Sequence, residues 1–273
     1  RDAVVHSVQA CIPHALLLPV GIEWLAASAP LAGPLTVHGR ERESDGETFV
    51  WDLLVADDQG RVVERWEGLR LRRVADLPVR EEWPEALLAP YLERRVGELA
   101  ASGVVRVAVR ANGNGRHNGS GPVLREAAGG GAPLRRPDGK PEVAGGPAVS
   151  ASHARGMTLG VAGPGVGADV EPVVARGVGA WRDLLGTERQ RLAERVATEA
   201  GEDGDTAATR VWCAGESLRK GGAAPDAPLV LASLAPDGWV VLRSGPRVIP
   251  TYAGRVRGEE VVVAVLAAGE AGG

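Results

Sequence analysis

Residues 211–220 read VWCAGESLRK. Trp212, Glu216 and Lys220 recur at every fourth position, so a helix carries all three along one side, and the stretch predicts a helix over residues 205–220. Its last residue is unusual for this chain: of 31 Lys and Arg, the lysines are Lys140 and Lys220 alone. Lysine is a compact point charge that meets a phosphate end-on, whereas arginine is a planar, weakly hydrated fork. An ordinary Glu-to-Lys helical pair, worth about 0.3–0.5 kcal/mol, accounts for the two side chains but not for the choice of Lys over Arg. Glu216 is therefore a candidate third metal ligand or general base, and Lys220 a candidate for neutralising phosphate charge.

Upstream, VGADVEP at residues 166–172 sets Asp169 and Glu171 two apart in an apolar strand pattern, so both carboxylates leave the same face. Two acids on one face repel, and an all-oxygen pair suits Mg²⁺, which takes one or two carboxylates, waters and substrate phosphates. A solvated strand end carrying two exposed acids has the same pattern. The second lysine lies in RRPDGKPEV, residues 135–143, where Arg135, Arg136 and Lys140 surround a Pro/Gly turn. Soon after comes VSASHA, residues 149–154, with Ser152 and His153 adjacent. Basic groups on a turn with a hydroxyl and an imidazole suit a phosphorylated nucleotide, although a surface turn and a polar strand would look alike.

Around these motifs the chain reads as two modules. Residues 2–12 fit a helix, residues 35–43, 48–57 and 61–74 fit strands, and DDQG at 57–60 joins the last two as a hairpin. The first module ends near residue 75, and 76–83 reads as a linker. The second, 84–268, opens with a helix over 84–100 and a strand over 104–109. Residues 111–133, rich in Gly and Asn, read as a mobile loop with no assigned structure. Short strands near 148, at 158–161 and at 166–170 precede two helices. The first starts at Thr187, where Thr187 and Gln190 have capping-box spacing, and the second is the 205–220 helix. Strands at 239–244, 247–252 and 260–266 close the module, and 269–273 reads as a flexible tail.

At 273 residues the chain is long enough for two domains of ordinary size. A net charge of −4 without blocks of like charge gives no footprint for nucleic acid or for an electrostatic membrane anchor. Cys11 and Cys213 lack disulfide-framework spacing, which suits a reducing, cytoplasmic setting. The most apolar stretch, residues 10–35, is broken by His14, Glu23 and four prolines, so it reads neither as a membrane span nor as a signal peptide. A start at Arg1, already inside an amphipathic run, suggests a piece of a longer polypeptide.

GKP, SASHA, VGADVEP and WCAGESLRK together resemble, in order and approximate spacing, the motifs of surfactin-type 4'-phosphopantetheinyl transferases. The resemblance spans roughly residues 84–268 and implies a fold of two similar α/β halves with the site between them. It implies that Asp169, Glu171 and Glu216 hold Mg²⁺ against the pyrophosphate of coenzyme A. Lys140, Ser152 and His153 would bind the nucleotide end, Ser152 and His153 at its 3'-phosphate. Glu216 would take the proton of a carrier-protein serine, and Lys220 would stabilise the departing adenosine bisphosphate. Two positions depart from the family pattern: Gly215 stands where a lysine is expected and Ser150 where an asparagine is.

DAVVHSVQACIPHALLLPVGIEWL, residues 2–25, followed by ERWEGLRLRRV, residues 64–74, resembles the second hot-dog half of a polyketide synthase dehydratase. The resemblance makes Asp2, with His6 one turn on, the acid that protonates the departing hydroxyl. The H-x-x-x-G-x-x-x-x-P segment that supplies the partner histidine is absent, and His117 with Gly121 and Pro122 matches it only in part, so this half is expected to be inactive alone. As a helix start, Asp2 also suits a capping role. A dehydratase half joined to such a transferase resembles the carboxyl end of an enediyne-type iterative type I polyketide synthase. The whole reads as an α+β protein: a hot-dog half, one helix plus antiparallel strands, and then a transferase. Its expected activity is Mg²⁺-dependent transfer of 4'-phosphopantetheine from coenzyme A to a serine of an acyl carrier protein domain of the same synthase. Two alternatives are a non-catalytic scaffold that docks the carrier domain, and a dehydratase fragment needing upstream sequence.

Overall fold

The computed structural model describes residues 1–77, 82–101, 105–111, 119–154 and 156–268, and the chain divides into two compact units, Arg1–Pro78 and Val79–Gly273. Residues 78–81 of the expected linker, residue 117 of the partial motif, and the 269–273 tail lie outside the described residues.

In the first unit, helix α1 (Asp2–Gln9) precedes β1 (Ala15–Gly21), β2 (Trp24–Ala27), β3 (Thr36–Ser44), β4 (Thr48–Ala56) and β5 (Val62–Asp76). The strands pair antiparallel in the order β1-β5-β4-β3, with β2 also on β5. Val4 and Val8, one turn apart on α1, are buried in a core with Phe49, Trp51, Leu53, Leu69 and Leu71 from the sheet. The 57–60 turn forms as its composition predicts: the Asp57 carboxylate accepts from the backbone N–H groups of Gln59 and Arg61, and Gly60 supplies φ +78°.

The second unit runs α2 (Glu85–Ala100), β6 (Arg106–Ala111), α3 (Gly121–Ala127), β7 (Pro133–Arg135), β8 (Pro141–Val143), β9 (Val149–Ala154), β10 (Met157–Ala162) and β11 (Gly167–Pro172). Then follow α4 (Val178–Ala200), α5 (Gly204–Lys220), β12 (Val230–Leu234), β13 (Trp239–Ser244), β14 (Arg247–Val256) and β15 (Glu259–Ala268). Three antiparallel sheets result: β6-β10-β9, β11-β15-β14-β13-β12 and the hairpin β7-β8. The two larger sheets are therefore unequal, where two similar halves were expected. The helix pair α4–α5 stands between β11 and β12, so β11 finds its partner in the last strand, β15.

Two helices depart from the sequence reading, which also placed no strand at β2 or β12. Part of the expected 111–133 loop is helix α3, which starts beside Pro122 and buries Val123, Leu124 and Ala127. Its Gly- and Asn-rich surroundings hide a short apolar face that packs on β10 and β6. Helix α4 begins at Val178, before the predicted start at Thr187, and is interrupted at Gly186, φ +72°. Thr187 opens the stretch after that break. The Gln190 side chain donates to Glu194 Oε1 at 3.2 Å, along its own helix.

Helix α5 is capped by Asp203, whose carboxylate accepts from the N–H groups of Asp205 and Thr206 at 2.9 Å each. Burial pushes the Asp203 carboxyl up, but the hydrogen bonds from Thr206 and Asp205 outweigh it and hold the group below its ordinary value of 3.8. A depressed carboxylate contributes stability that is complete above its unfolded value and is lost as pH falls through the lowered folded value. Asp203→Ala is thus expected to cost about 1 kcal/mol at pH 7. The gap to wild type should close in acid, as thermal melts across pH would show.

The second unit's two large sheets share a core in which Trp83, Tyr91, Trp239 and Tyr252 pack together, with Trp83 stacked on Tyr91 at 4.4 Å between ring centroids. Among the described residues, no helix is long and apolar enough to cross a membrane.

Candidate functional site

Helix α5 lies directly on β11. A Cβ added at Gly167 would sit 2.0 Å from the Ser217 carbonyl oxygen, and one at Gly221 would sit 2.2 Å from Leu266 Cδ2. Only residues without a side chain allow this approach. Ser217 Oγ then donates to the Ala264 carbonyl on β15 at 3.1 Å, which fixes the helix over both strands. From the other side, Ser150 Oγ on β9 accepts from the Ala168 N–H at 3.0 Å and ties the smaller sheet to β11.

The result is a polar cluster at a protein interior. Asp169, 3% exposed, receives Ser152 Oγ and Lys220 Nζ on Oδ1, each at 2.7 Å. Lys220 Nζ also reaches the carbonyls of Ala168 at 3.0 Å and Ala151 at 3.4 Å. Asp169 Oδ2 is buried with no hydrogen-bond partner. Glu171, two residues along the same face, is pushed up by burial and then by the Asp169 charge, against the pull of Lys220, a hydrogen bond from Trp212 and Arg176. The neighbouring Cys213 thiol, fully enclosed, is raised by burial and by both carboxylates. A buried oxygen without a donor beside a second acid is the environment a hard cation satisfies, and two carboxylates suffice for Mg²⁺.

Glu216 does not join them. Its carboxylate is paired with Arg219 one turn on, Nη2 to Oε2 at 2.6 Å. Among the described residues, no group of three or more His, Cys, Asp or Glu is placed to hold a metal ion; of the expected Asp169, Glu171 and Glu216 set, the first two share a strand face, while Arg219 holds Glu216. The structure also separates the Ser152–His153 pair. Neighbours on a strand face opposite ways. Ser152 turns inward to Asp169, while the exposed His153 meets Thr158 Oγ1 through Nδ1 at 2.9 Å. Neither lines the adjoining cavity.

That cavity, about 670 Å³, is lined by five cations, Arg135, Arg136 and Lys140 from the β7–β8 hairpin and Arg219 and Lys220 from the end of α5, and by two acids, Asp138 and Glu142. Gly139, φ +81°, turns the hairpin, and Lys140 N–H bonds to the Asp138 carboxylate at 3.1 Å. Both lysines of the chain thus meet in one cavity. Arg219 was absent from the sequence reading, although its place three residues after Glu216 on a helix marks the pair.

At Gly215 a Cβ would come within 2.8 Å of Arg189 Nη1, so a guanidinium from α4 lies against the position where a lysine was expected. Arg189 Nη2 donates to the carbonyls of Pro225 at 2.9 Å and Ala227 at 3.2 Å. Gly215→Ala gains about 1 kcal/mol of helix propensity and displaces only the end of a flexible side chain. A melting curve is expected to show a net change under about 1 kcal/mol, and a larger loss would mean that Arg189 cannot move.

In the first unit, Asp2 and His6 line a cavity of about 140 Å³ with Gln9, Leu17 and Leu71 among its walls. Gln9 locks the turn from α1 into β1: Nε2 donates to the carbonyls of Ile12 and Ala15, and Oε1 accepts from Leu17 N–H at 3.0 Å.

Residues 1–81 match the family model of the polyketide synthase dehydratase N-terminal domain. The match covers the whole first unit and ends where the second begins to build. It is described as an N-terminal domain, whereas the motifs had suggested the dehydratase's second half. The matched stretch holds helix α1, the antiparallel sheet β1–β5 and the cavity lined by Asp2 and His6. A search of curated proteins finds no match to the chain.

Proposed function

We propose that the first unit is part of a polyketide synthase dehydratase and that its substrate is an acyl chain carried on an acyl carrier protein domain. The observation that carries this reading is the family match over residues 1–81, supported by the cavity where Asp2 and His6 meet. Asp2 serves as the acid for the departing hydroxyl, and a base from elsewhere in the synthase removes the α-proton. The chain alone, given a 3-hydroxyacyl carrier protein, is expected to release no water by intact-mass measurement. Asp2→Asn in the full synthase is expected to stop dehydration. Dehydration by the chain alone would refute the external base.

For the second unit we infer a separate activity, 4'-phosphopantetheinyl transfer, favoured by one specific observation: of the five cations that line the cavity, Lys220 is itself bonded to Asp169. Asp169 and Glu171 are the residues that would hold Mg²⁺, and the bound ion would neutralise pyrophosphate charge. Lys140, Arg135 and Arg136 bind the nucleotide phosphates of coenzyme A. Lys220 stabilises the leaving adenosine bisphosphate, and Glu216 accepts the proton of the carrier serine. Such a pairing of activities suits an iterative synthase of the enediyne kind that modifies its own carrier domain. The test is a mass assay with apo carrier protein, coenzyme A and Mg²⁺. A gain of one phosphopantetheinyl group, lost in Asp169→Ala, is expected. No gain on a carrier that another transferase modifies would favour a docking scaffold.

A further inference from the structure

Arg219 belongs to two sites at once. It lines the basic cavity with Arg135, Arg136, Lys140 and Lys220, and its guanidinium holds the Glu216 carboxylate with Nε at 3.2 and 3.1 Å from the two oxygens and Nη2 at 2.6 Å. Resting on the transferase reading of the second unit, we propose that Arg219 binds a phosphate of the cavity's ligand and that this binding releases Glu216 as a free carboxylate.

The competition is uneven. The Arg219 side chain is 56% exposed and that of Glu216 is 24% exposed. A solvent-exposed ion pair of this kind is worth little, because water screens it and two long side chains must be held still. A phosphate in the cavity offers a forked acceptor to the same guanidinium, and charge-assisted bidentate bonds are the stronger kind. The cavity volume suits a nucleotide-sized ligand. Its cations stand on two walls, three on the hairpin and two at the end of α5, so a ligand with two separate phosphates engages both. The chemical class is an adenosine bisphosphate or a larger molecule that contains one.

This accounts for the lone position of Glu216. In the free protein the third acid is stored on Arg219. Ligand binding removes its partner and leaves it next to the other site groups on α5, Trp212 and Lys220, which share its helix side. Linkage makes the effect reciprocal: whatever removes Glu216 from Arg219 tightens phosphate binding by the same factor.

Calorimetry on the full chain with adenosine 3',5'-bisphosphate and no added metal tests this directly, with circular dichroism confirming that each variant is folded. Wild type is expected to bind, Lys140→Gln and Arg219→Gln each to weaken binding about tenfold, and Glu216→Gln to tighten it about two- to fivefold by freeing Arg219. In the Glu216→Gln, Arg219→Gln double variant the gain disappears. Unchanged or weaker binding by Glu216→Gln overturns the proposal, as does a gain that survives in the double variant. Binding that depends on Lys140 but not on Arg219 overturns it while leaving the transferase reading intact. No binding by wild type overturns both.

Discussion

Gly167→Ala is expected to destabilise the second unit by about 3 kcal/mol, near the upper end for forcing a methyl into a filled interior. The added Cβ would sit 2.0 Å from the Ser217 carbonyl oxygen, 2.9 Å from the Gly221 nitrogen and 3.0 Å from the Ser217 carbonyl carbon. All three are backbone atoms of α5 and its C-terminal end, so no side chain can rotate away. The helix must lift from β11, which also strains the Ser217 bond to Ala264 and moves Lys220 from Asp169. For a unit of this size the melting temperature should fall by about 6–12 °C. Gly97→Ala is the control: it lies within α2, nothing stands within 4 Å of its added Cβ, and it should gain stability by about 1 kcal/mol. Equal behaviour of the two variants in a thermal melt would refute the close approach of α5 to β11.

Lys220→Met is the second large effect. It leaves Asp169, 3% exposed, with Ser152 as its remaining donor and with Oδ2 already unpartnered. Removing one partner of a buried ion pair costs about 3–5 kcal/mol, because the other charge stays buried without compensation. Lys220 keeps a quarter of its side chain in water, so the expected loss is smaller, about 2–3 kcal/mol. Adding Asp169→Asn should recover most of it, since the uncompensated charge is gone. Under the transferase reading, Mg²⁺ takes over the role of the ammonium and raises the melting temperature of Lys220→Met more than that of wild type. Calorimetric scans with and without Mg²⁺ read out both points. A Lys220→Met protein as stable as wild type would mean that the pair contributes nothing.

The elements that carry these effects were readable for different reasons. The α5 helix and the β11 strand follow from spacing alone, since a period of four places Trp212, Glu216 and Lys220 on one side and a period of two places Asp169 and Glu171 on one face. Helix α3 was hidden, because seven residues with three buried apolar positions cannot outweigh a Gly- and Asn-rich neighbourhood. The β7–β8 hairpin was visible as a Pro/Gly turn, but not as a wall of a cavity. Within the site, strand alternation already set Ser152 and His153 on opposite faces, and helix spacing already joined Glu216 to Arg219.

Local order thus came from residue type and period: which segments are helix or strand, where they turn, and that the chain's two lysines sit in polar motifs. Long-range placement did not. That Lys140 and Lys220 line one cavity, that Arg189 lies over Gly215 and that Gly167 must lack a side chain depend on how α4 and α5 settle on the sheet. The physical reason is range. Backbone propensities act over a few residues, whereas the field at Asp169 is set by side chains 17 and 51 residues away that only packing brings within 2.7 Å.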